Sequence, residues 1–481
     1  FPRTATVAPE PALGEGSDGL HILESTQAGG NASVPPDVAI CAKCEAALFD
    51  PGNRRFQHPF ITCTDCGPRY TVIQSLPYDR ARTSMSVFDL CERCRSEYET
   101  PTDRRYHAET VACPDCGPRV WLALDDGERV CEGGEAIRDA ATLLGVGWIL
   151  AVRGVGGFHV ACDATDESTV RELRLRKRRE AKPFAVMVRT LEEARAIAVI
   201  SGAEEQLLAG PERPVVLVGR RATSPLAPSV SPGLDRVGLM LAYTPLHHLV
   251  LDLVRRPLVM TSGNLSDEPI AIGNGEALER LRGIADAFLL HDREIISRVD
   301  DSVARVVDEA PVLMRRARGY APLAIPLPVA SPSQLLAVGP HLKNTFTLAR
   351  DGWAFVSPHI GDLAGLDSLA SFRSVLARYE DVFRITPGIA VRDLHPGYLT
   401  TRVADELGLE RVIAVQHHHA HIAAVAAEHG VTRQVVGLAF DGTGYGEDGH
   451  VWGAEAMIAD LCGYHRMAQL RYVPLAGGDL A

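Results

Sequence analysis

Cys41-Ala42-Lys43-Cys44 and, after eighteen intervening residues, Cys63-Thr64-Asp65-Cys66-Gly67-Pro68-Arg69-Tyr70 are the stretch from which the chain is best read. The pattern returns fifty residues on as Cys91-Glu92-Arg93-Cys94 and Cys113-Pro114-Asp115-Cys116-Gly117-Pro118-Arg119. C-x2-C, a spacer of eighteen and a second C-x2-C lie in the range of a four-cysteine zinc site. Two thiolates on one tight turn supply half of a tetrahedron. A second turn alongside supplies the other half and leaves no open position, so the metal is structural. Eight of the eleven cysteines are used this way: Cys41, Cys44, Cys63 and Cys66, then Cys91, Cys94, Cys113 and Cys116. Spacing leaves open whether the pairs combine sequentially or crosswise. Asn53-Arg54-Arg55-Phe56 loosely matches Asp103-Arg104-Arg105-Tyr106, so the segment is an internal repeat. A disulfide framework or thioredoxin-like redox pairs would not explain two identically spaced quartets. Cys131, Cys162 and Cys462 stand alone and are expected to be buried small apolar residues, none of them a nucleophile.

Outward from the repeat, the 481 residues suggest about three domains of roughly 150 residues each. Hydrophobic residues make up 46% and charged residues 23%, an ordinary globular balance. Lys plus Arg number 49 against 61 Asp plus Glu, a net charge of −12, which argues against a bulk field that gathers nucleic acid. The first forty residues lack a basic start followed by an apolar core, and the run Leu143–Val152 is too short to span a bilayer. A cytoplasmic protein with no membrane and no nucleic-acid partner is expected. Residues 1–36, rich in Gly, Pro, Ala and Ser, read as a linker or the remnant of a preceding domain, and residues 37–130 as the cysteine domain. Residues 131–325 read as an α/β domain. Its expected strands are Gly147–Val152, Phe158–Ala161, Phe184–Val188, Pro214–Val218 and Pro257–Thr261, with helices at Ser168–Arg179 and Leu191–Ala198. Ala321–Ser333 reads as a Pro/Ala/Leu linker, and a second α/β pattern starts at Leu335, giving a domain over 326–481 that is expected to be truncated at its C-terminus.

Three constellations carry chemistry. Leu173–Lys182 holds six basic residues in ten, either a solvated helix face or a cationic clamp for phosphates. The buried strand that follows it favours a site. Thr261-Ser262-Gly263-Asn264-Leu265-Ser266 is a strand running into a polar turn, whose Ser262, Asn264 and Ser266 can bind phosphate or ribose or merely form the turn. Arg298 and Arg315-Arg316-Ala317-Arg318 add charge from distant parts of the chain. In the last third, His417 and His421 are i,i+4 and on a helix share one face, from which both imidazoles can reach one metal; a polar helix start with adventitious histidines is the alternative. His418 and His419 are expected to project elsewhere, toward substrate. Val435–Phe440 reads as a buried strand leading to Asp441-Gly442-Thr443-Gly444-Tyr445-Gly446. There alternate glycines let backbone approach phosphates, and Asp441 at the strand end is a candidate third metal ligand. A glycine-rich hairpin is the alternative. Leu342–Thr345 and His359–Asp362 are expected as a facing wall. No Walker-type G-x-x-x-x-G-K-[ST] loop and no G-x-S-x-G occur.

Together these residues resemble the HypF family, the carbamoyltransferases of [NiFe]-hydrogenase maturation. The resemblance rests on Pro36–Cys41, Cys63–Tyr70, Leu76-Pro77-Tyr78-Asp79-Arg80, Tyr243-Thr244-Pro245-Leu246-His247-His248, Thr261–Ser266, Arg315–Tyr320, the histidine cluster and the Asp441 segment. It implies an α/β multidomain protein: tandem four-cysteine zinc fingers, a YrdC-like domain, and the start of a TsaD-like domain of the actin-like ATPase fold. An acylphosphatase-like domain that hydrolyses carbamoyl phosphate precedes these in the family. The implied reaction forms carbamoyl-adenylate from ATP and carbamate, then passes the carbamoyl group to the C-terminal cysteine of a HypE-like partner. The YrdC pattern Lys-x-Arg falls on Lys177 and Arg179, with Lys182 before Pro183 and the Ser-x-Asn pattern on Ser262 and Asn264. Arg298 and Arg316 join them in the implied nucleotide site. His417, His421 and Asp441 match metal ligands, and Gly442, Thr443 and Gly444 a phosphate loop. Lys177, Arg179, His417 and His421 are the implied catalytic groups. The implied cofactors are two structural Zn2+, ATP with Mg2+, and a further divalent metal at His417/His421 whose identity is left open among iron, zinc and magnesium. Competing readings are a tRNA threonylcarbamoyl-adenylate enzyme, an antibiotic O-carbamoyltransferase and a non-catalytic zinc-ribbon scaffold. The first two are not expected to carry the tandem cysteine repeat.

Overall fold

The computed structural model describes residues 34–265, 268–363 and 365–473. Readings placed on residues 1–33, on Ser266 and on residues 474–481 lie outside the described residues. Residues 34–36 do not behave as a free linker: Val34 is buried, in the same apolar cluster as Tyr70, Ile73 and Phe346.

Each cysteine unit is a turn, an eight-residue helix that begins just after its first cysteine (Ala42–Phe49, then Glu92–Glu99) and a second cysteine turn. The first unit is fused to the α/β domain in the middle of the chain. Ala39 N–H donates to Pro211 O at 2.9 Å and Ile40 N–H to Tyr243 O at 3.0 Å. Its Ile40, Leu48 and Ile61 share a core with Leu150, Met240 and Leu289.

A twelve-stranded mixed sheet forms the middle of the molecule. Leu150–Arg153, Phe158–Asp163 and Ala287–His291 are buried along their whole length, because both faces are covered. Phe158, Val160 and Phe288 enter one core, while Leu150, Ala161 and Leu289 enter the other, the one shared with the first cysteine unit. The predicted strands and helices are found with no end displaced by more than three residues, among them Ala185–Val188, Val215–Arg220 and Leu258–Ser262, with helices Glu167–Arg176 and Leu191–Ile197. The sheet also recruits Val120–Leu124 and Arg129–Glu132, most of which the sequence pattern assigns to the cysteine domain.

Two expectations in the last third are corrected. Ala321–Ser333 is not a free linker, for Ile325–Ala337 is a strand paired with Thr347–Val356. The prolines cannot donate to the ladder, and the register breaks between Pro326 and Ser331 and again before Leu335. Val435–Phe440 is not buried throughout: Val436, Leu438 and Phe440 are 75, 61 and 77% exposed. The strand alternates faces and runs on to Tyr445, so Asp441, Gly442 and Gly444 lie in it, while Gly446 and Gly449 form the turn to the next strand. The isolated cysteines also divide. Cys162 is buried as expected, Cys131 donates to Asp139 at 3.3 Å, and Cys462 is exposed.

Candidate functional site

The cysteines assemble sequentially. Cys41, Cys44, Cys63 and Cys66 gather in one cluster, and Cys91, Cys94, Cys113 and Cys116 in the other. Cys41–Cys63 and Cys63–Cys66 sulfurs are 3.7 and 3.8 Å apart, and Cys91–Cys113 and Cys113–Cys116 sulfurs are both at 3.7 Å. A tetrahedron with Zn–S of about 2.3 Å has edges of about 3.8 Å, so both quartets fit a structural zinc ion.

The basic run splits by direction. The Glu167–Arg176 helix starts at Asp166, whose carboxylate accepts from Ser168 N–H, and ends at Lys177. Arg178 then adopts a left-handed backbone (φ 50°), which turns the chain. Arg176 stays outside with Glu172 and Asp286. Arg174 spends its donors on carbonyls, among them Ser229 O and Arg179 O, and lies over the Phe184 ring. Lys177 and Arg179 face inward. Lys177 Nζ, almost wholly buried, donates to Ser262 O and Asn264 O at 2.6 Å, with Asn264 Oδ1 at 3.4 Å. Ser262 Oγ donates to Asn264 Oδ1 at 2.7 Å, and Asn264 Nδ2 to Glu268 O. Arg179 donates to Thr261 Oγ1 at 3.1 Å and also stacks on Phe184. Lys177, Arg179, Ser262 and Asn264, up to 87 residues apart in sequence, thus form one cluster. Burial, reinforced by the Arg179 charge, pulls the Lys177 pKa down to about 7. Burial and the Arg174 charge pull Arg179 down to about 10. Lys182 stands close by, lowered by burial and by Arg179.

The contacts of Arg298 and Arg316 go to other groups. Arg298 donates to Ile270 O at 2.6 Å and reaches Ser371 Oγ at 3.3 Å, on the Leu366–Phe383 helix. Arg316 donates to Val356 O and Leu323 O. Both tie the middle sheet to the last third of the chain. Leu342–Thr345 and His359–Asp362 pair with each other through Asn344 and Gly361. The wall they form faces the middle unit: His359 N–H donates to Arg316 O at 3.1 Å. Burial and the Arg315 charge draw the His359 pKa down to about 4.

The second cluster joins the His417–Glu428 helix to the long strand. Gln416 caps that helix, its side chain accepting from His419 N–H. His417 Nε2 is 2.7 Å and His421 Nε2 3.4 Å from Asp441 Oδ2, and the two imidazole nitrogens are 3.2 Å apart. A 2-His-1-carboxylate set with such edges fits a divalent ion with open positions. Helix and strand approach closely because residue 444 is glycine; a Cβ there would sit 2.5 Å from His418 Cε1. Gly444 therefore has a packing reason of its own. Gly442 and Thr443 continue the strand beside Asp441, and Gly442 N–H donates to its carboxylate at 2.8 Å. His418 and His419 do not reach outward as expected. Both are buried, His418 beside the Gln416 side chain and His419 Nε2 at 2.9 Å from Asp460 O.

Four family models match the chain. "HypF finger" covers residues 40–73 and 90–123, and "Telomere recombination" covers 142–317. "HypF Kae1-like domain" covers 330–428, and "Carbamoyltransferase, Kae1-like Domain, second subdomain" covers 437–481. Carbamoyltransferase HypF of Synechocystis sp. is 49% identical over 451 residues, 94% of this chain and 59% of the relative. The chain belongs to the HypF family. HypF2 of Cupriavidus necator is also 49% identical, over 97% of this chain and 60% of its own length. A crystal structure of full-length HypF in the phosphate- and nucleotide-bound form superposes with a TM-score of 0.90 at 47% identity, covering 93% of this chain and 59% of that one. HypF of T. kodakarensis superposes at 0.89 with 42% identity, over 93% and 59%. The chain thus spans about three-fifths of the length of these HypF relatives. Among the described residues no helix is long and apolar enough to cross a membrane.

Sequence reasoning missed several groups in this HypF-family fold. Asp393, at the end of the Ile389–Asp393 strand, accepts from His417 Nδ1 at 2.6 Å, fixing the ring so that Nε2 faces Asp441 and raising the imidazole pKa. Thr261, legible only as a strand residue, holds Arg179. Arg54, Arg55 and Arg104, legible only as repeat positions, reach cysteine sulfurs.

Proposed function

We propose that this chain carries the activating and transferring parts of a carbamoyltransferase. At the Lys177 cluster, a carbamate oxygen attacks the α-phosphorus of ATP, supplied as its Mg2+ complex; the new O–P bond forms as the bond to pyrophosphate breaks, giving carbamoyl-adenylate. Charge accumulates on the transferring and leaving phosphates, and buried cations offset it more strongly than exposed ones would. Lys177 and Arg179 supply that charge, Lys182 adds to it, and Ser262 and Asn264 orient the nucleotide. At the second cluster a thiolate attacks the carbamoyl carbon, AMP leaves, and a thiocarboxamide remains on the acceptor, the C-terminal cysteine of a HypE-like partner. His417, His421 and Asp441 would hold a divalent ion there, which supplies Lewis-acid polarisation when bound. Asp393 keeps His417 in the tautomer that ligation needs, and the strand through Gly442, Thr443 and Gly444 presents backbone beside it. The carbamate comes from carbamoyl phosphate.

The observation that carries this reading is the convergence of Lys177, Arg179, Ser262 and Asn264. Two quartets fit for zinc favour it over the tRNA-modifying and antibiotic-modifying alternatives. The test is exchange of labelled pyrophosphate into ATP by the purified chain. One arm supplies carbamoyl phosphate, and another supplies bicarbonate with ammonia as a direct source of carbamate. Exchange in the second arm is expected; none in either arm refutes the adenylation step.

A further inference from the structure

We propose that the two cysteine cages are completed crosswise, each quartet being shielded by arginine from the other unit. Arg104 Nη1, in the second unit, donates to Cys44 Sγ of the first at 3.1 Å. Arg54 Nη2 and Arg55 Nη2, in the first unit, donate to Cys94 Sγ of the second at 3.2 and 3.3 Å. The exchange obeys the fifty-residue repeat, which maps Arg54 onto Arg104 and Cys44 onto Cys94. The backbone repeats it: Arg55 Nε donates to Ala112 O at 2.7 Å, and Arg105 Nε to the equivalent Thr62 O at 3.2 Å. Gln57 and His107, at matching places, both adopt a left-handed backbone (φ 53° and 48°). The arginine turns are therefore swapped between units about a local pseudo-two-fold.

A divalent ion in four thiolates leaves a net charge of about −2. A charge-assisted N–H···S bond offsets part of it and fixes the sulfur in its place in the quartet. Such outer-shell partners typically alter metal affinity by roughly 10–100-fold. The two cages are not equal. Glu97 clasps Arg54 at 2.7 Å and Arg55 at 2.5 Å, but its counterpart in the first unit is Ala47. Arg105 Nη2 is correspondingly buried without a partner. The Cys91 quartet thus receives two guanidinium groups held by a carboxylate, the Cys41 quartet receives one, and zinc leaves the Cys41 quartet first. This inference is independent of the carbamoyl reading.

The test uses the full zinc-loaded chain, a chromophoric chelator and pulsed N-ethylmaleimide, with peptide mapping to read which cysteines become alkylated. In the unsubstituted protein Cys41, Cys44, Cys63 and Cys66 are labelled before the other four. R104A accelerates labelling of that quartet by about 10-fold or more and leaves the Cys91 quartet unchanged, whereas R54A/R55A does the reverse. R104K falls between, and A47E slows the first quartet. Acceleration of both quartets alike, acceleration of a variant's own unit, or no change in any variant would each overturn the crosswise arrangement. Circular dichroism melts confirm that the variants compared are folded, and A47E and R104K keep the test decisive if R54A/R55A is not.

Discussion

The Lys177 and His417 clusters are built in opposite ways. Lys177 is sunk beside a sheet buried on both faces, and its hydrogen bonds go to protein oxygens. The His417 cluster sits at an edge. His421 and Asp441 side chains are 58 and 37% exposed, next to a strand face that carries Val436, Leu438 and Phe440 outward. A low-dielectric enclosure multiplies the effect of a cation on a small anion, which suits activation of a phosphorylated substrate. An open ion site with free positions suits a reaction whose acceptor is a residue on another protein. Under the proposed reading, the contrast teaches that the two half-reactions would ask for different solvation.

That contrast can be broken at several points. The largest effect is expected from the double variant His417→Ala/His421→Ala. It removes two of three donors, so metal bound outside the cysteine quartets falls to none by elemental analysis, with pyrophosphate exchange retained. Asp393→Asn leaves every ligand in place but loosens the ring, and metal affinity drops roughly 10–100-fold by competition titration. Arg179→Lys keeps the charge yet loses the planar fork that reaches Thr261 while stacking on Phe184, and exchange falls on the order of 10-fold. The smallest effect is a proton. The Lys177 pKa is drawn down to about 7, and a bound phosphate favours the ammonium form. Nucleotide binding at pH 8 therefore takes up roughly one proton per site, and at pH 6 almost none, because the amine is already charged. The dependence of calorimetric binding enthalpy on buffer ionisation reads this directly, and Lys177→Arg removes it.

The cysteine quartets were legible because metal coordination fixes both residue type and spacing. Five of the twelve strands of the middle sheet were legible because burial on both faces favours short apolar runs such as Ala185–Val188. The Lys177 cluster was visible as a basic run and a polar turn, but composition alone left a solvated helix face and a plain turn open, and it was the family resemblance that singled out Lys177, Arg179, Ser262 and Asn264. Asp393 was not legible. It is one carboxylate at one strand end, and only the packing of the His417–Glu428 helix assigns it a partner. The arginines of the cysteine units were visible as a repeat, but nothing local says that each serves the other unit. Ile325–Ala337 hid behind its prolines, which look like a linker until a partner strand and two register breaks accommodate them. Val435–Phe440 misled because its exposed face is as apolar as its buried one, so alternation leaves no polar trace.

The central claim is that the buried Lys177 amine supports adenylate formation. Its most direct test is carbamate-dependent exchange of pyrophosphate into ATP, measured side by side in the unsubstituted chain and in Lys177→Ala, with zinc content monitored in both. The account predicts a loss of about 10²–10³-fold with two zinc ions still bound. Undiminished exchange in Lys177→Ala would contradict it.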